Sequence, residues 1–449
     1  MTTYTLVPPR TASASRVELT EQQQRVVDHR SGPLLVLAGP GTGKTTTLVE
    51  AVAARIAEGA APDSILVLTF SRKAAADLRR RIAARLGRSV VTPSAMTFHA
   101  FCHAVVRRHG DVELYGPAVR LLTAPEQEFR VREVLNGAGA EAWPPSLAAA
   151  FRTRGFAAEV RAAVASIRQL GLDGDVLRRD AELAGRPVWA QLGDFFDEYL
   201  DVLESEQVLD YAELVHRTRV LLANPDVAEQ VRRSARVVYV DEYQDTDPAQ
   251  AALLHQLVGP HGDLTVIGDP DQSIYEFRGA RPRAILDFPD EFRPATGGQA
   301  PVVALDLTHR FGPVLAAGSR RVAERLPLPR ALDVETRQRF REPRSAPGVA
   351  PGVLEVLTFD DAGAEAEHVA DLLRRAHLHE GLAWDDMAVL MRSGRRQLPA
   401  MSRALVGAGI PVQVAGDEIG LASSEAVKPL LLALEVAVNP RDVDLSQAA

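Results

Sequence analysis

Cysteine is almost missing: Cys102 is the single one among 449 residues. An internal disulfide is therefore excluded, and a reducing compartment is the expectation. No apolar run approaches the ~20 residues that span a bilayer, and the N-terminus lacks the apolar centre of a secretion signal. The expected chain is cytoplasmic and without membrane contact. Positive charge is not in excess either: the formal net charge is -8, so any nucleic-acid contact has to come from a local groove. Composition alone does not suggest DNA. Hydrophobic residues make up 46% and charged residues 24%, a globular balance with ample material for cores, and the length implies two to four domains.

What is present is organised around Leu34–Thr47, LLVLAGPGTGKTTT, where a buried-type strand breaks into glycines and then a lysine followed by hydroxyl residues. The stretch fits the phosphate-binding pattern GxxxxGK[ST] except at its first position, where Ala38 stands for glycine. Gly39, Pro40, Gly41, Thr42 and Gly43 form the loop, whose backbone N–H groups and following helix start face one centre. Lys44 would reach the β/γ oxygens of a polyphosphate, and Thr45 would help hold the magnesium ion that comes with it.

Around this loop the chain alternates strand and helix, which implies a parallel sheet. LTEQQQRVVDH opens a short helix with Thr20 as its N-cap, and Gln23 carries the donor and acceptor that an adenine edge needs, although a glutamine there is usually surface. Ile65–Thr69 is a second strand with Phe70 at its end, and Met96–Phe101 (MTFHAF) brings Phe98 and His99 to another element end. Taken singly, these rings read better as core. Residues 111–206 are helix-like and rich in Ala, Arg and Leu, which reads as a helical insertion. The sheet resumes at VVYV followed by DEYQDTDPAQ, where Asp241 can hold an ion through water and Glu242 can orient and deprotonate an attacking water. LTVIGDPDQSIYEFRGA then offers Gln272 to a γ-phosphate, Tyr275 and Phe277 as stacking faces for unpaired bases, and Arg278 to a nucleic-acid phosphate.

In order and spacing these stretches resemble the superfamily 1 DNA helicases of the UvrD/Rep/PcrA type. LTEQQ resembles the Q motif, AGPGTGKT motif I, LTFSRKAAADLRRRI motif Ia, TFHAF motif Ib, LDYAEL motif Ic, VDEYQDTDPAQ motif II, IGDPDQSIYEFRGA motif III and LTHRF motif IV. The wording around TFSRKAAADL is similar to helicase-nuclease subunits of the AdnA/AdnB or RecB kind. The resemblance implies an α/β P-loop fold of RecA-like parallel sheets with ATP between two such domains and single-stranded DNA across them. Its domains would be a tail at 1–18, domain 1A at 19–110 plus 207–295, insertion 1B at 111–206, a partial 2A with the start of 2B at 296–440, and a tail at 441–449. It assigns Gln23 to adenine, Lys44 and Thr45 to phosphate and magnesium, Asp241 and Glu242 to magnesium and water, and Gln272 to the γ-phosphate. Arg310 becomes an arginine finger, and Phe70, His99, Tyr275, Phe277 and Arg278 line the DNA path.

Some positions depart from that pattern. Phe277 replaces a tryptophan, leaving a smaller stacking face, while His309 stands for a tyrosine that stacks on adenine and Thr46 for an arginine beside the base. Weaker adenine selectivity is the expectation. Motifs V and VI and a nuclease domain have no counterpart before Ala449, so binding of Mg-ATP is expected to be firmer than its turnover. The reading is a DNA translocase or helicase moving 3′ to 5′, or alternatively a non-motor module that binds ATP and DNA beside a second helicase-nuclease subunit.

Overall fold

A computed structural model describes residues 18–87, 93–110, 120–151, 153–260, 262–274, 282–330, 332–414 and 427–438. It divides into two compact units, Met1–Leu354 and Glu355–Ala449.

In the first unit, helix α1 (Glu21–Asp28) leads into strand β1 (Pro33–Ala38), helix α2 (Lys44–Ala57), β2 (Ile65–Thr69), α3 (Arg72–Leu86), β3 (Ser94–Thr97) and α4 (Phe98–His109). Thr20 caps α1 as the sequence predicts: its hydroxyl accepts from Gln23 N, and the Gln23 side chain returns to Thr20 N. The short β4 (Arg120–Leu121) is followed by the insertion helices α5 (Ala124–Ala138), α6 (Arg154–Leu170), α7 (Gly174–Ala184) and α8 (Pro187–Ser205). These helices close over their own core of Trp143, Phe156, Phe195, Phe196 and Tyr199, and β4 pairs with β5 (Val208–Leu209) where the chain leaves them.

The sheet then continues through α9 (Tyr211–Leu222), α10 (Pro225–Arg233), β6 (Val237–Val240), α11 (Pro248–Val258), β7 (Asp263–Gly268), α12 (Pro282–Glu291) and β8 (Val302–Leu305). Its six strands run parallel in the order β3-β2-β6-β7-β1-β8. Val302–Leu305 pairs with β1, so the first sheet takes in a strand that lies past the division expected at 295. Alternation along the strands builds two cores. Leu35, Leu37, Leu66, Leu68, Val238 and Val240 pack on one face with α4, α9 and α11, while Leu34, Val36, Ile65, Val67, Val237 and Tyr239 meet α1, α2 and α3 on the other. Burial on both faces explains why these strands read as continuous apolar runs.

After β8 come β9 (Leu307–Thr308), α13 (Pro313–Ala323), α14 (Val334–Arg341) and β10 (Arg344–Ser345), with β10 pairing parallel to β9. In the second unit, α15 (Ala362–Glu380) and α16 (Gly394–Gly407) bury Ala366, Ala370, Met401 and Leu405 together with Ile410, and α17 (Lys428–Val438) follows. No strand occurs among the described residues of that unit. Among the described residues of the whole chain, no helix is long and apolar enough to cross a membrane.

Candidate nucleotide and DNA site

Parallel pairing sends the C-terminal ends of all six strands to one edge, where open α/β sheets hold their ligands. The loop after β1 lies between the turns that follow its neighbours β7 and β8, and β6 stands one strand beyond β7. Lys44, the Asp241–Glu242 pair, Gln272 and the Thr308–Arg310 segment are thus gathered by topology, while Phe70 and His99 follow the strands at the far side, β2 and β3.

The phosphate loop is held in a shape that only glycine tolerates at two points. Gly41 and Gly43 have φ of 75° and 87°. A Cβ on Gly41 would collide with the Arg310 side chain, and one on Gly43 would sit 2.6 Å from Gln23 Nε2. Thr42 braces the loop by donating from its hydroxyl to Gly39 O at 2.8 Å, and Thr47 does the same to Gly43 O at 2.9 Å. Ala38 is buried in β1, Gly39 is buried beside it, and Pro40 accepts from the Thr308 hydroxyl at 2.9 Å. Thr45 and Thr46 lie half-buried in the first turn of α2.

Gln23 sits at this loop. Its Nε2 donates to Thr42 O at 3.1 Å and its Oε1 accepts from Thr20 N at 3.0 Å, which leaves one N–H and one lone pair on the amide for a base edge. On the other side His309 N donates to Gly41 O at 3.0 Å, and Arg310 N donates to Thr308 Oγ1 at 3.3 Å. The side chains of His309 and Arg310 are exposed at the loop's rim.

The acidic end of β6 faces the lysine. Lys44 Nζ is 3.3 Å from Glu242 Oε2. Glu242 adopts the left-handed conformation, φ 53° and ψ 47°, at a cost of about 1–3 kcal/mol for a residue with a side chain. Asp241 is buried, and its carboxyl is pushed up to about 7 by burial and by the neighbouring Glu242 carboxylate, against the pull of Lys44. A buried acid held so far from its ordinary range is one that a cation would re-ionise. Among the described residues no group of three or more His, Cys, Asp or Glu forms an all-protein metal cage. Magnesium instead keeps one or two carboxylates plus phosphates and water, and Asp241 with the Thr45 hydroxyl suits that set.

Gln272 stands in the turn after β7, where its Nε2 donates to Asp269 Oδ2 at 2.6 Å. A residue that sequence reasoning did not single out joins the two acidic turns. Gln244, fully enclosed, donates from Nε2 to Glu242 Oε2 at 2.9 Å and accepts at Oε1 from Asp269 N at 2.9 Å. It holds the same Glu242 oxygen that Lys44 reaches. Its signal was present, since it stands inside DEYQD, but only the pairing of β6 with β7 shows what it bridges.

At the far strands, His99 is half-buried and its imidazole is held down to about 4 by burial and by Arg72. It meets the exposed Tyr211 edge to face, with ring centroids 4.7 Å apart. Phe98, by contrast, is a core residue. Tyr211 was legible as the tyrosine of LDYAEL, yet its place beside His99 was not. Phe70 is half-buried at the end of β2. Tyr275, Phe277 and Arg278 lie outside the described residues.

Residues 19–293 match the UvrD/REP helicase N-terminal domain. The chain is 33% identical over 95% of its length to the ATP-dependent DNA helicase UvrD2 of Mycobacterium tuberculosis, covering 59% of that protein. It is 29% identical to UvrD1 of the same organism (94% of this chain, 53% of UvrD1) and 27% identical to PcrA of Bacillus subtilis (94% and 54%). The chain spans little more than half the length of these relatives.

Proposed function

Because the chain belongs to the UvrD/REP helicase family, we propose that it is an ATP-driven motor on single-stranded DNA, moving 3′ to 5′ in DNA repair or recombination. The observation that carries this reading is the Lys44–Glu242 pair at 3.3 Å between two strand ends, flanked by Gln272 and by the Arg310 segment. Lys44 and Glu242 meet beside a glycine cradle of the kind that holds a triphosphate, and the turns carrying Gln272 and Arg310 follow neighbouring strands.

Magnesium, when bound with ATP, would neutralise the β/γ oxygens, and Asp241 and Thr45 are the residues to hold it. Lys44 now spends its charge on Glu242. Phosphate oxygens compete for that ammonium, so their arrival frees Glu242 to take the proton of an attacking water while Gln244 keeps its carboxylate in position. Gln272 and Arg310 add donors to the γ-phosphate from either side. Gln23 meets adenine with its remaining amide valences, next to Thr46 and His309.

Phe70, His99 and Tyr211 at the ends of β2, β3 and β5 supply one end of a path for unpaired bases, with Tyr275, Phe277 and Arg278 proposed to continue it. ATP hydrolysis rates with and without single-stranded DNA, for this chain and for Lys44→Ala, test the reading. DNA-stimulated hydrolysis that Lys44→Ala abolishes supports it; hydrolysis indifferent to both DNA and Lys44 refutes it.

A further inference from the structure

The turn that carries Gln272 has a second anchor. Asp271, next to Gln272, forms an ion pair with Arg341, the last residue of α14, and the two side chains are only 19% and 9% exposed. Arg341 also donates to Leu326 O at 2.8 Å, and its neighbour Phe340 is buried in the core on the α11 and α12 side of the sheet. The other Asp271 oxygen, Oδ1, is buried and has no hydrogen-bond partner among the described residues, so Arg341 is the group that holds this carboxylate.

Three residues beyond Arg341 the chain enters β10. Arg344 N donates to Asp306 O at 2.7 Å and Ala346 N to Thr308 O at 2.8 Å, clipping β10 to β9. Thr308 in turn touches Pro40 O, and His309 N touches Gly41 O. A continuous path therefore runs from the Gln272 turn through Asp271 and Arg341 to β10, β9 and the segment carrying Arg310. An arginine fork, unlike a point charge, can fix the carboxylate and the Leu326 carbonyl together.

Resting on the nucleotide-site reading above, we infer that Arg341 is a positioning residue: through Asp271 it ties the Gln272 turn to the β9–β10 ribbon, so that both flanks of the phosphate loop answer nucleotide together. Arg341 touches neither nucleotide nor DNA. Removing it leaves Asp271 buried without a partner and uncouples the turn from the ribbon, while the glycine cradle and Lys44 stay as they are.

Hydrogen exchange of the full chain, with and without Mg-ATPγS, tests this for the unaltered protein, Arg341→Met, Arg341→Lys, Asp271→Asn and the Arg341→Met/Asp271→Asn double variant. Without nucleotide, Arg341→Met is expected to speed exchange of residues 268–274 and 306–310 by about tenfold, with β1, β2 and β6 unchanged. With nucleotide, protection of residues 39–47 persists in this variant, but the added protection of 268–274 and 306–310 is lost. Arg341→Lys, which keeps the charge but not the fork, recovers only part of it, and the double variant behaves like either single one. Unchanged exchange at 268–274, an even acceleration across all strands, or single effects that multiply in the double variant would each overturn the inference. Absence of nucleotide protection at 39–47 in the unaltered protein would instead count against the nucleotide site, leaving the nucleotide-free comparison to judge Arg341.

Discussion

Glu242 combines a left-handed backbone with a carboxylate shared between Lys44 and Gln244. The backbone cost belongs to the fold and the carboxylate to the chemistry, so substitutions separate them. Glu242→Gln keeps the shape and removes the base: nucleotide binding should stay within a few-fold while turnover falls by roughly 10²–10⁴, read as kcat against KM. Glu242→Gly should melt higher than Glu242→Ala, by about 1 kcal/mol, because glycine has no Cβ to oppose a positive φ. Equal melting of the two would mean that the turn is not strained. His99 makes a separate prediction. Its folded pKa of about 4 lies below the ordinary histidine value, so its contribution is complete above pH ~6.5 and drains away as pH falls towards 4. Between pH 7 and pH 5 the unaltered protein should lose on the order of 1–2 kcal/mol more stability than His99→Gln, measured by denaturant titration at each pH.

Among the elements, the contact between the insertion and the sheet unit rests on a buried charge cluster. Arg168 of α6 donates to Glu213 of α9 at 2.6 Å, Arg217 donates to the other Glu213 oxygen at 2.7 Å, and Asp210 accepts from Tyr199 of α8 at 3.0 Å and from Gln127 at 2.9 Å. Arg168→Met should cost about 3 kcal/mol in urea unfolding, since a carboxylate left short of partners inside the protein is the expensive case. A cost below ~0.5 kcal/mol would mark the pair as a surface ornament. None of this was legible beforehand: Arg168 carries nothing in sequence to set it apart from the other arginines of the insertion. The strands were legible, because burial on both faces leaves continuous apolar runs such as LLVLA and ILVLT, and so was the Thr20 cap, a local pattern spanning the four residues from Thr20 to Gln23. The pairing of Val302–Leu305 with β1 was not, since which sheet a strand joins depends on contacts distant in sequence.

At the scale of the whole molecule, one sheet edge gathers what the sequence scatters from Gln23 to Arg310. The phosphate loop, the acidic pair and the Gln272 turn announced themselves because glycines, adjacent carboxylates and strand ends are local signals. Gln244, Tyr211 and Arg341 act across strands, and their partners become visible only when β6 lies beside β7 and α14 reaches the Gln272 turn. On the proposed reading the same edge also orders the two ligands: the residues proposed for nucleotide follow β1, β6, β7 and β8, while Phe70 and His99, proposed for DNA, follow β2 and β3. A motor that couples the two ligands predicts linkage, in which nucleotide changes DNA affinity by the same factor as DNA changes nucleotide affinity. The most direct measurement is the affinity of this chain for a fluorescent single-stranded oligonucleotide with and without saturating Mg-ATPγS, paired with the reciprocal nucleotide titration and with Lys44→Ala. Equal factors of about 5-fold or more in both directions, vanishing in Lys44→Ala, are the predicted result. A DNA affinity that is the same with and without nucleotide, in a chain that demonstrably binds both, would contradict it.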